Sequence, residues 1–172
     1  MKFKDLTSSG GKNFLRMKPG DEIRGVFRGD PVDFRQHWKQ GESRGYVCPG
    51  RETCDRCKAG EKSAFRFRIN FVVKENAVYV AKVFEQGKAS YEALKALHQD
   101  YNLEANTMKI RRVGSGTDTT YSILPVPKGE VSEEFLKAME TLKLNALSPF
   151  DQDATPQAEE PEEEFTEEVI PF

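Results

Sequence analysis

Three cysteines fall within ten residues of the stretch "HWKQGESRGYVCPGRETCDRC". Cys54 and Cys57 form a C-x-x-C pair, with Cys48 six residues before it and His37 eleven residues before that. A tight turn lets the two sulfurs of such a pair reach one ion without strain, and three thiolates with one imidazole make a Cys₃His set for tetrahedral zinc. His37, Cys48, Cys54 and Cys57 are therefore the expected ligands of a Zn²⁺ ion. Four protein ligands fill the shell, so the site is expected to be structural, with no metal-bound water for catalysis. Arg51, Arg56 and Lys58 stand near enough in sequence to offset the thiolate charge. A redox C-x-x-C with one spare cysteine is the competing reading of the same residues. An odd number of cysteines cannot all pair within the chain, which favours a reducing, cytoplasmic setting.

The elements that must position this cluster can be read from hydrophobic period. In "EIRGVFRGD", Ile23, Gly25 and Phe27 share one face of a strand, and Arg24, Val26 and Arg28 the other. "AFRFRINFVV" alternates more cleanly, with Phe65, Phe67, Ile69 and Phe71 opposite Arg66, Arg68 and Asn70. A third strand fits "AVYVAKVFE". The period then changes: Tyr91, Leu94, Leu97 and Tyr101 lie at helical spacing in "ASYEALKALHQDY". The second histidine, His98, falls on this helix and is expected at its surface. Two further strands, "TMKIRRV" and "TTYSILPV", flank the glycine-rich turn "GSGTD". A last helix is expected from Ser132, a suitable N-cap followed by Glu133 and Glu134, with Phe135, Leu136, Met139 and Leu142 as its apolar stripe.

Three strands, a helix and two strands is the element order of an OB-fold, the partly open five-stranded barrel of many oligonucleotide binders. The expected chain is mainly β. Its barrel has one helix between the third and fourth strands, a zinc-held loop over residues 37–60 between the first and second, and a C-terminal helix. A generic α+β domain is the alternative. Residues 1–20, with glycines, serines and lysines, read as a basic mobile arm; residues 21–147 as the domain; residues 148–172 as a disordered acidic tail.

Charge supports that division. The chain has a net charge of −2, yet all 26 Lys and Arg precede Ser148 and face only 19 of the 28 acids there. The body is thus at +7 and the tail entirely acidic, an asymmetry that points to nucleic acid. No apolar run approaches the length needed to cross a bilayer, so no membrane partner is expected. The start shows no secretory signal.

Cations share strand parity opposite the expected core: Arg24 and Arg28, Arg66 and Arg68, Lys109 and Arg111. In the loop, Arg35, Lys39 and Arg44 flank Trp38 and Tyr46. Phosphates attract cations and unpaired bases stack on flat rings, so this mixture suits a single-strand groove. The plainer reading of Arg66 and Arg68 is a solvated strand face, and Trp38 either stacks on a base or packs on the zinc loop. Neither expected helix is basic enough for duplex recognition. The body holds no carboxylate cluster or histidine base suited to metal-assisted cleavage, so no enzyme is expected.

The "FLRMKPGDEIRGVFRGDPVDFRQHW" opening and the "CPG…CDRCKAG…FRFRIN" block resemble those of phage single-stranded-DNA-binding proteins. A His-then-three-Cys set in an OB-fold is similar to the helix-destabilising type, and the final "EEVIPF" resembles the acidic tip with which bacterial members dock replication and repair proteins. The resemblance implies sequence-independent binding of single-stranded DNA in replication, recombination and repair, in the cytoplasm of a host cell. It makes Ile170, Pro171 and Phe172 a partner-binding tip and gives the tail's acids a role in competing with DNA. An RNA-binding or transcription-regulating zinc protein of the same fold class is the alternative.

Overall fold

The computed structural model describes residues 13–42 and 44–150. Its scaffold is one antiparallel sheet. β1 (Glu22–His37) runs through the centre, with β3 (Ser63–Glu75) and β4 (Val78–Gly87) on one side and β5 (Asn106–Val113) and β6 (Thr120–Glu130) on the other. The order is β4-β3-β1-β5-β6, and a two-residue β2 (Tyr46–Val47) pairs with the far end of β1. Three helices complete the order: α1 (Asp55–Lys58), α2 (Lys88–Asp100) and α3 (Glu133–Met139). The mainly β expectation holds. The expected five-stranded, partly open barrel does not: the sheet has six strands, β4 and β6 at its edges are not hydrogen-bonded to each other, and it does not close into a barrel.

β1 is longer than its apolar alternation suggested, because the chain is not broken at "GDP". Pairing with β3 is irregular between Arg28 and Val32, where Gly29 adopts φ +71° and Pro31 donates no ladder hydrogen bond. The strand therefore bulges and continues to His37. Asn76 and Ala77, at φ 47° and 66°, form the two-residue hairpin joining β3 to β4.

The core lies between one sheet face and α2. Phe27, Phe67, Phe71, Phe84, Met108 and Ile110 are fully buried there, with Leu94 reaching down from α2. The rings of Phe27 and Phe71 are 4.7 Å apart, and Phe67 meets Tyr91 of the helix at 5.3 Å. Gly25 is required in this layer, because a Cβ would collide with the Val72 carbonyl and the Phe71 ring. Tyr101 departs from the expected helical stripe: it ends α2 with extended backbone and is exposed.

The opposite face is not a free groove along its whole width. Val26, Val72 and Ala81 pack under Phe135 of α3, with Met139 and Leu142 beside it. Ser132 caps α3 as expected, its Oγ accepting from the Phe135 N–H at 3.2 Å, but Leu136 points to solvent. Residues 13–20, expected to be mobile, are tied down: Leu15 N–H donates to the Val83 carbonyl, Val83 N–H donates to the Asn13 carbonyl, and Met17 is buried. The expected tail boundary also moves, since Pro149 is buried on the body. Residues 1–12 and 151–172 lie outside the described residues. Among the described residues, no helix is long and apolar enough to cross a membrane.

Phe27→Ala is expected to cost about 3–5 kcal/mol in urea unfolding, because a fully buried ring leaves a cavity among other rings. Val78→Ala, at an exposed strand end, is expected to change stability by less than about 0.5 kcal/mol.

Candidate metal centre and sheet face

β1 delivers His37 to the site fully buried, and the β1–β2 pairing folds the chain back so that Cys48 follows directly. Cys48 N–H donates to the Arg35 carbonyl at 2.8 Å. The next turn is closed on the Gly50 carbonyl, which accepts from Thr53 N–H at 3.2 Å and Cys54 N–H at 2.9 Å. Cys54 then precedes α1, whose single turn carries Cys57. The loop over residues 37–60 thus holds a short hairpin and one helical turn, each placing ligands.

The four ligand atoms lie within 4.8 Å of one another. Cys48 and Cys57 sulfurs are 3.5 Å apart, and His37 Nε2 is 3.4 Å from Cys54 Sγ and 3.3 Å from Cys57 Sγ. A tetrahedral zinc with bonds of about 2.0–2.3 Å separates its ligand atoms by about 3.5–3.8 Å, so this donor set, with no pair beyond 4.8 Å, fits such an ion after small side-chain adjustments. His37 Nδ1 lies 3.1 Å from the Lys62 carbonyl, which accepts its proton and leaves Nε2 free to bind metal. His37, Cys48, Cys54 and Cys57 can therefore hold a metal ion together.

Without an ion the thiols compete. Burial, then hydrogen bonding to Cys48 and Cys54, pushes the Cys57 thiol up to about 11. Burial opposes ionisation of Cys54 too, but hydrogen bonds from the Cys57 and Arg56 backbone and from the Cys48 and Cys57 thiols together pull it below the usual thiol range. One thiolate is favoured and its neighbour is kept protonated, so metal binding near neutral pH must displace protons.

A carboxylate brace surrounds the cluster. Arg56, expected to offset thiolate charge, instead forks onto Glu42 at 3.0 and 2.8 Å and lies 4.9 Å over the Tyr46 ring. The hydrogen bond to Arg56 holds the Glu42 carboxyl below its usual range. Lys39 pairs with Glu61 at 2.7 Å. Arg35 donates from Nε and Nη2 to Ser63 Oγ and carbonyl at 2.8 and 2.7 Å. Arg44 is half-buried, whereas Trp38 is 60% exposed on the lobe. Glu42 and Glu61 escaped the sequence reading because nothing in their spacing separates a brace from a solvated charge.

The expected strand cations divide into two groups. Arg24 and Lys109 are cross-strand partners on β1 and β5, both within reach of Glu22, at 3.9 and 3.5 Å, and Arg111 lies exposed one step along β5. Beside them on β6, Leu124 is exposed. Arg66 and Arg68 do not stand on an open, solvated strand face. They pair with Glu85 at 3.0 and 2.7 Å, Arg68 is buried, and Arg28 sits half-buried opposite Asn70. Glu85 faces Arg68 across the β3–β4 ladder, a pairing visible only once the register is known. Ile170, Pro171 and Phe172 lie outside the described residues.

Cys54→Ser is expected to lower bound metal from one equivalent toward zero, measured by elemental analysis after gel filtration. Metal retention by the unaltered chain is expected to fall as pH falls, because protons reclaim the thiolates, and to rise with pH. Retention independent of pH between 5 and 8 would argue against thiolate ligation.

No family model, curated protein or solved structure matches this chain.

Proposed function

We propose that this chain binds single-stranded DNA without sequence preference, on an OB-like open sheet whose lobe is tied by a structural zinc ion. The observation that carries the reading is the strip of Arg24, Lys109 and Arg111 on the uncovered half of the sheet. Only Glu22 offsets it among the contacts of Arg24 and Lys109. Trp38 and Tyr46, both exposed on the lobe, add rings on which bases can stack. Cations that neutralise phosphates release counterions, which supplies affinity without reading bases.

In this reading His37, Cys48, Cys54 and Cys57 hold Zn²⁺, and the ion supplies the bonds that fix residues 37–60 against β1. The chain performs no reaction. The acids of residues 151–172 compete with DNA for the cationic strip, and Ile170-Pro171-Phe172 serve as a handle for replication and repair proteins. The likeness of the cysteine block and the tail to phage single-stranded-DNA-binding proteins supports placing this activity in DNA replication, recombination and repair.

Fluorescence anisotropy with labelled oligo-dT, titrated with salt, tests the proposal. Arg24→Ala, Lys109→Ala and Arg111→Ala are each expected to weaken binding. Each is expected to reduce the slope of log K against log salt by about 0.7 per lost phosphate contact. Unchanged slopes in all three variants would overturn the assignment of this strip. Tighter binding of a matched RNA strand would redirect the reading to RNA.

A further inference from the structure

A polar pocket of about 550 Å³ opens beside the four-residue cluster, and two cysteines form part of its wall. Cys48 and Cys57 line it, together with Arg35 and Arg51. Cys54 and His37 do not, and both are fully buried. The sulfurs of Cys48 and Cys57 lie 3.5 Å apart. They come from different pieces of the lobe, Cys48 directly after β2 and Cys57 from the single turn of α1. Cys54 is held elsewhere: its sulfur accepts from the Arg56 and Cys57 backbone N–H groups and lies 3.4 Å from His37 Nε2.

Sequence spacing alone pairs Cys54 with Cys57 as a C-x-x-C. The fold instead turns the Cys54 sulfur toward His37 and sets Cys48 and Cys57 side by side at the pocket. We propose that Cys48 and Cys57 are a disulfide-forming pair, oxidised by a hydroperoxide that enters this pocket, and that closing the bridge releases the metal ion. Disulfide sulfurs sit about 2.05 Å apart, so the two must approach by about 1.5 Å, within reach of side-chain rotation.

The chemistry balances with hydrogen peroxide as the sole co-reactant. The half-buried Cys57 sulfur attacks one peroxide oxygen and the O–O bond breaks. The leaving oxygen takes the thiol proton and departs as water, and Cys57 becomes a sulfenic acid. The Cys48 sulfur then attacks the Cys57 sulfur, the S–O bond breaks, and the hydroxyl leaves with the Cys48 proton as a second water. Two thiols are oxidised to one disulfide, and one peroxide is reduced to two waters. The bridge uses two of the four donors, and His37 with Cys54 cannot complete a tetrahedral shell. Release of the ion rests on the zinc reading above, whereas the choice of pair does not. In that reading the ion ties residues 37–60 to β1, so peroxide slackens the lobe that carries Trp38 and Tyr46.

Peptide mapping of the full chain after hydrogen peroxide treatment tests the pairing. Arg44, Arg51, Arg56 and Lys58 let trypsin place Cys48, Cys54 and Cys57 on three separate peptides. With free thiols alkylated before digestion, the expected result is the Cys48 peptide linked to the Cys57 peptide, and Cys54 alkylated. Elemental analysis of the same sample after gel filtration is expected to show bound metal falling from about one equivalent toward zero. Dithiothreitol followed by added zinc is expected to restore it. A Cys54–Cys57 link, a link between two chains, or three free thiols under peroxide that oxidises free cysteine would each overturn the inference. So would a Cys48–Cys57 bridge in protein that keeps its full metal. If the untreated chain holds no metal and the Cys48–Cys57 link still forms, the zinc reading fails and the pairing stands.

Discussion

The whole arrangement depends on one continuous central strand. β1 spans Glu22–His37, and its first half pairs with β5 while its second half ends in the cluster of His37, Cys48, Cys54 and Cys57. A strand that long cannot keep both ends in useful positions while flat, and the bulge at Gly29–Pro31 bends it between the two tasks. Arg24 and His37 are thereby carried by the same rigid element. The cationic strip and the lobe that presents Trp38 hold a fixed relation because no loop intervenes along β1.

The lobe illustrates how charge is handled when several like groups converge. Three thiols and an imidazole meet at a buried point, and in the absence of a cation burial keeps Cys57 protonated while hydrogen bonds favour the Cys54 thiolate. The arginine next in sequence does not neutralise them. Arg56 is taken by Glu42 and stacked on Tyr46, which makes it a brace for the loop. That division leaves the cluster's charge for a metal ion to balance if one binds, and the Lys62 carbonyl fixes the imidazole tautomer that leaves Nε2 free for such an ion.

Much of this was legible in the sequence. The alternation of Phe65, Phe67, Ile69 and Phe71 identified the buried face of β3, the ligand set was visible in its spacing, and Ser132 announced α3. What could not be read was long-range. Arg66 and Arg68 have the parity of a solvated face, but parity does not reveal that β4 brings Glu85 to both of them or that the returning chain sets the Ser148 carbonyl on Arg68. Barrel closure is likewise a property of how far strands coil, which a hydrophobic period does not encode. The hold on residues 13–17 comes from a backbone ladder to Val83, and backbone pairing leaves no mark on side-chain type.

Trp38 is the chain's single tryptophan, so its emission reports on one place alone. Titrating the metal-loaded protein with unlabelled oligo-dT at low salt and following that emission tests whether the lobe and the strip form one binding surface. The account predicts quenching that saturates with added strand and reverses when salt is raised. Emission that stays constant while anisotropy reports binding would mean that the lobe stands apart from the nucleic acid, contradicting the common surface built on β1.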